Sequence, residues 1–171
     1  IEAVAREEAA LLTADDDGPT RIIEAGAFET LQSLGLAAAS DPVVTFGQAT
    51  SDRANHDSEK AYSPRPDIAV TSPPQLSERG QVFTVDDRYR VSLPMLGEHN
   101  AVNATAALAV GWSLGVTTER LIEGLQQVEP APGRMQPRRF GNGDQRLTVI
   151  DDTYNANPDS MEAALRVLLD F

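Results

Sequence analysis

Cysteine is missing altogether, basic residues are scarce, and no apolar run approaches the length of a membrane span. The first absence excludes disulfides, thiolate catalysis and cysteine-ligated metal, and it suits a reducing compartment. The second leaves 14 lysines and arginines against 26 aspartates and glutamates, a formal charge of -12 that repels nucleic acid and anionic bilayers alike. The third is joined by an N-terminus, Ile1-Glu2-Ala3-Val4-Ala5-Arg6-Glu7-Glu8, in which no basic stretch precedes an apolar one. Nothing here directs the chain to a membrane or out of the cell. The expectation is a cytoplasmic protein without nucleic-acid partners or membrane insertion, and a monomer.

What is present suits a globular fold, with 41% hydrophobic and 23% charged residues in a length of 171, enough for one domain or one domain and part of another. The first residue is not Met. Ile1, Val4, Ala5, Leu11 and Leu12 open the chain on a helical period, and another apolar helix runs from Met161 to Phe171. An internal piece of a longer protein is expected.

Along the chain, the pattern predicts a helix over 1–12, a short strand over 20–23, a helix over 27–39 and a buried strand over 43–47. This β-α-β rhythm points to a parallel sheet with covering helices. Residues 48–65 are polar and read as a surface loop, and His56 beside Asp57 within it reads as solvated rather than functional. The stretches 81–85 and 89–93 alternate apolar and polar residues about Asp86-Asp87-Arg88, as a hairpin with one buried face should. Small apolar residues then predict a helix over 99–114 and a second from Thr117, followed by the linker Pro130-Ala131-Pro132-Gly133. Leu147-Thr148-Val149-Ile150 reads as a buried strand, with a last helix starting at Asp159 or Ser160. The fold class expected is therefore α/β, a mixed, mostly parallel sheet with helices and a small antiparallel section. The start of a second Rossmann-like α/β domain follows, with the division at 1–131 and 132–171.

Three clusters carry chemistry. In Gly97-Glu98-His99-Asn100-Ala101-Val102-Asn103, the two asparagines stand three residues apart at a helix start, so both carboxamides can project from one face. An amide offers donors and an acceptor together, which the edge of an adenine ring requires. The alternative is that Asn100 is a helix cap and Asn103 an ordinary surface residue. In Gly133-Arg134-Met135, the arginine can present a fixed guanidinium to a phosphate, or it can be a solvated hinge residue. In Asp151-Asp152-Thr153-Tyr154-Asn155-Ala156-Asn157-Pro158-Asp159-Ser160-Met161, acid and amide groups crowd a strand end before a helix, where open α/β sheets place ligands. A simple helix-start turn is the competing reading.

The order and wording of these clusters resemble the Mur ligase family of ATP-dependent amino acid ligases. That family has a Gly-x-His-Asn-x-x-Asn helix in its central domain, a Gly-Arg at the passage to the C-terminal domain, and an acidic-aromatic loop opening that domain. The eleven residues from Asp151 to Met161 are similar to the branch that joins D-alanyl-D-alanine to a UDP-N-acetylmuramoyl-tripeptide in peptidoglycan synthesis. The resemblance covers about residues 80–171. It implies ATP and magnesium as cofactors, with the tripeptide nucleotide and D-alanyl-D-alanine as partners, and acyl phosphate chemistry. It further implies that Asn100 and Asn103 hold adenine, that Asp152, with Tyr154 and Asn155 beside it, holds ribose, and that Arg134 reaches the phosphate as the catalytic residue. His99 is taken as structural.

Departures stand beside the likeness. The family's glycine-rich phosphate loop with lysine and threonine has no counterpart among these residues. Where several branches carry a carbamylated lysine that helps hold a second magnesium, this chain has Glu8, a shorter carboxylate and a candidate metal ligand. The family's Asn-x-Asp-Asp-Pro-like stretch is likewise missing near 21–28, where the chain reads Ile22-Ile23-Glu24-Ala25-Gly26. Two readings stay open: a piece of a ligase, inactive by itself, and a degenerate Mur-like module that binds nucleotide without ligating.

Overall fold

β-Branched residues at Ile22, Ile23, Val43 and Val44 favour extended backbone, and they lie side by side in the sheet. The computed structural model describes residues 20–38, 43–49, 66–142 and 146–170. Strand β1 (Arg21–Glu24) pairs in parallel with β2 (Val43–Gln48), and β2 pairs in parallel with β3 (Ile68–Val70). Asp67 joins the last two strands: its carboxylate accepts from the backbone nitrogen and hydroxyl of Thr45 at 2.8 and 2.9 Å.

Between β1 and β2 runs helix α1 (Ala25–Ser33). Its expected span was 27–39. The start lies earlier because the Glu24 carboxylate caps the first turn by accepting from the Ala27 nitrogen at 2.8 Å. The end lies earlier because Gly35, at φ 67, takes the left-handed conformation that closes helices.

The antiparallel section comprises β4 (Gln75–Ser77), β5 (Gly80–Val85) and β6 (Tyr89–Leu93). β6 pairs with β5 along one edge, while β4 and the end of β3 pair with the other. The expected hairpin forms, its turn carried by Asp86 and Asp87 at φ 52 and 56, a conformation that aspartate tolerates better than most side chains. β4 was not expected, since three residues with one inward leucine carry too little pattern to read.

Side-chain alternation sends Ile22, Val44 and Phe46 to one face of the sheet, and Ile23 and Val43 to the other. The first face is covered by α2 (Glu98–Ser113) and α3 (Thr118–Gln126), whose Leu108, Ala109 and Leu125 pack on Phe83, Val85 and Val91. The second is covered by Phe28 and Leu31 of α1. Small residues let α2 lie close. At Gly111 an added Cβ would stand 2.2 Å from a methyl of Leu121 on α3, so a larger residue would require Leu121 to move.

A second, two-stranded sheet pairs β7 (Gln136–Phe140) antiparallel with β8 (Leu147–Asp151), and α4 (Pro158–Asp170) follows. Here the expectation of a buried strand over 147–150 is corrected, because Leu147 is 59% and Val149 39% exposed. Only Ile150 of that run joins a core, with Met135, Ala164 and Val167, and this cluster meets Leu76 and Leu96 of the first sheet's side. The two parts are thus joined through apolar side chains. Glu78 adds an ionic tie, pairing with both Arg139 and Arg146. Glu8, the helix over 1–12 and the pair His56 and Asp57 lie outside the described residues.

Candidate functional site

The site is built where the first turn of α2 approaches the end of β8. Gly97 starts the helix at φ 99, and its carbonyl accepts from the backbone nitrogens of Asn100 and Ala101 at 3.0 and 3.4 Å. Asn100 is buried. Its Nδ2 donates to the Leu96 carbonyl at 2.7 Å, and its Oδ1 lies 3.5 Å from Nδ2 of Asn103. Asn100 therefore braces the helix start with both ends of its amide. Asn103, one turn along the same face, is exposed.

The opposite wall is the loop after β8, and it is stapled to the linker. Asp152 Oδ1 accepts from the Met135 nitrogen at 3.1 Å, the Tyr154 nitrogen donates to the Gly133 carbonyl at 3.0 Å, and the Arg134 guanidinium lies 3.9 Å over the Tyr154 ring. Glycine is required at 133: φ is 71, and an added Cβ would stand 2.9 Å from Thr153 Oγ1. Arg134 keeps its charge at the surface, with its plane set by the aromatic face beneath it.

The remaining polar residues of the loop divide between local and outward roles. Asn157 caps α4, accepting from the Ser160 nitrogen at 2.8 Å, while its own backbone nitrogen donates to Ser160 Oγ at 3.1 Å. Pro158 then occupies the first helical position, where its missing N–H costs nothing. Part of the polar density seen in sequence is thus capping. Asn155 is exposed, and its Oδ1 accepts from the Ala156 nitrogen at 2.9 Å. Asp151 pairs with Arg138 at 2.8 Å. Its carboxyl titrates below the ordinary range, first because Thr153 donates to it and then because of Arg138.

His99 stands in the first turn of α2. Partial desolvation lowers its pKa, although the residue is exposed, and the Asp152 charge opposes that shift. Asn100, Asn103 and His99 belong to the wall at the α2 start, and Asp152, Tyr154 and Arg134 to the other, with Leu96 packed on Met135 between the two elements. The sequence did not show that the Asp152 charge is felt at His99. Next to this joint lies a cavity of about 680 Å³, walled by Pro73, Gly97, His99, Arg166 and Asp170.

An adenine nucleotide suits these groups, since Asn103 supplies an exposed amide for the base and Arg134 an exposed cation for phosphate. For magnesium the described residues offer no group of three or more His, Cys, Asp or Glu able to hold a metal ion.

No protein-family model matches the chain. It is similar to curated UDP-N-acetylmuramoyl-tripeptide–D-alanyl-D-alanine ligases. That of Haemophilus influenzae is 39% identical over 95 residues, covering 54% of this chain and 20% of the relative. That of Mycobacterium leprae is 37% identical over 141 residues, covering 75% of this chain and 27% of the relative. In structure, MurF from Acinetobacter baumannii superposes with a TM-score of 0.66 at 27% identity, over 99% of this chain and 33% of that one. The chain spans about a fifth to a quarter of the length of these curated relatives. The resemblance to the Mur ligases, and within them to the branch that adds D-alanyl-D-alanine, holds in sequence and in fold.

Proposed function

We infer that this chain is a segment of a Mur ligase that joins D-alanyl-D-alanine to a UDP-N-acetylmuramoyl-tripeptide, and that it contributes the adenosine-facing walls of the ATP site. Residues 1–131 are part of the central domain and 132–171 open the C-terminal one. The observation that carries this reading is the packing of Leu96, just before α2, on Met135, whose nitrogen donates to Asp152, with Arg134 stacked on Tyr154 of the same loop. ATP, when bound, supplies the phosphoryl group that activates the tripeptide carboxylate for attack by the dipeptide amine. The chain's own residues bind and orient. Asn103 takes the base edge with Asn100 bracing it, Asp152 turns its remaining carboxylate oxygen to a ribose hydroxyl, and Asn155 presents a second polar group beside it. Arg134, stacked on Tyr154, places a guanidinium toward phosphate without needing to be ordered at the moment of reaction. Magnesium belongs to the reaction, and Glu8 is the residue of this chain proposed to contact it. The working form is proposed to be cytoplasmic and monomeric.

The test is phosphate release from ATP. The complete enzyme should require both the tripeptide nucleotide and D-alanyl-D-alanine, and the 171-residue chain by itself should release none. Arg134→Ala in the complete enzyme should lower kcat by about tenfold or more and leave the KM for ATP nearly unchanged, because a phosphate contact matters most in the transition state. Turnover by the isolated chain, or release that ignores the dipeptide, contradicts the reading.

A further inference from the structure

Among the described residues only three polar side chains are buried: Gln81, Asn100 and Thr105. Thr105 and Asn100 belong to the helix. Gln81 does not: it stands on β5, between Leu76 of β4 and Leu93 of β6, and is 1% exposed. Its Nε2 donates to the Gly97 carbonyl at 2.9 Å, while its Oε1 is buried without a hydrogen-bond partner among the described residues. An unpartnered buried acceptor costs stability, and a methionine of similar size would fill the space without that cost. Core packing therefore does not account for a glutamine here. Its single bond does.

We propose that Gln81 is a positioning residue for the nucleotide-facing amide of Asn103, acting through the Gly97 carbonyl. This rests on the reading that the start of α2 faces the nucleotide. Gly97 sits at φ 99, a region that glycine enters freely, so the direction of its peptide is not fixed by backbone sterics. Three donors converge on its carbonyl: the nitrogens of Asn100 and Ala101 from the helix, and Gln81 from the sheet. The first two travel with the helix. Among the described residues Gln81 alone refers the helix start to the sheet by a directed bond, and so sets its rotation. The next links are the bond from Asn100 Nδ2 to the Leu96 carbonyl and the contact of Asn103 Nδ2 with Asn100 Oδ1. A rotation of the first turn would swing Asn103 out of register with Asp152 on the other wall.

In the complete ligase, Gln81→Met should raise the KM for ATP by about two- to tenfold, the factor that one hydrogen bond is worth. Both kcat at saturating ATP and the KM for D-alanyl-D-alanine should hold. Phe83→Leu, a buried change on the same strand that breaks no bond to α2, should leave the KM for ATP unchanged. Equal rises in both variants, or no rise in Gln81→Met, would overturn the proposal. Gln81→Asn, whose shorter amide cannot reach Gly97, serves the same comparison if the methionine variant does not fold. Hydrogen exchange on the 171-residue chain gives an arm that needs no activity. In the Gln81 variant the amides of Asn100 and Ala101 should exchange faster while those of β6 stay protected, and uniform acceleration would contradict the inference. If Asn103→Ala leaves the KM for ATP unchanged while exchange responds as expected, the nucleotide reading fails and the Gln81 tether stands.

Discussion

At the scale of single residues, the joint depends on groups that each serve two purposes. Asp152 accepts a backbone bond from Met135 through Oδ1 and also sets the field at His99. Because crowding lowers the His99 pKa, the folded chain binds that proton less readily than the unfolded one. His99 then contributes stability that is complete above about pH 6.5 and is lost as pH falls toward the folded pKa. Proton NMR should find one imidazole titrating below the ordinary histidine range, assigned to His99 by its persistence in His56→Gln. In Asp152→Asn, which keeps the acceptor but loses the charge, that pKa should fall further. An unmoved or raised value would separate His99 from Asp152 and open the joint as described.

At the scale of elements, two glycines make opposite predictions. Gly80 opens β5 at φ 124, and an added Cβ would stand 2.1 Å from the Leu93 carbonyl. Gly80→Ala should therefore destabilise the chain by about 2 kcal/mol or more, from overpacking and backbone strain together. Gly124 lies within α3 with nothing near its Cβ position, so Gly124→Ala should stabilise by about 0.5–1 kcal/mol. Urea denaturation measures both, and equal effects would contradict the packing described. The elements themselves were legible where period and punctuation agree. Ile22, Val44 and Phe46 gave the parallel strands, the alternation about Asp86 and Asp87 gave the hairpin, and Ala101 to Ala109 gave α2. β7 was not legible, because Gln136-Pro137-Arg138-Arg139-Phe140 has no alternation and pairs only because β8 lies beside it. The exposure of Leu147 and Val149 was hidden for a related reason: an apolar run indicates a strand but not what covers it. In the site, the asparagine spacing and the Asp151 to Met161 run could be read. The stacking of Tyr154 on Arg134 and the tether from Gln81 join residues far apart in the chain and have no local signature.

At the scale of the whole molecule, two small sheets are held together by the cluster of Leu76, Leu96, Met135 and Val167 and by Glu78 with its two arginines. That contact brings the α2 start beside the Asp152 loop, and the function proposed here follows from their closeness. Asn103 is proposed to face the nucleotide across this joint. The KM for ATP of the complete ligase carrying Asn103→Ala tests it most directly. A rise of about two- to tenfold or more, with the KM for D-alanyl-D-alanine unchanged, is the predicted result. A KM for ATP equal to that of the unaltered enzyme would contradict it.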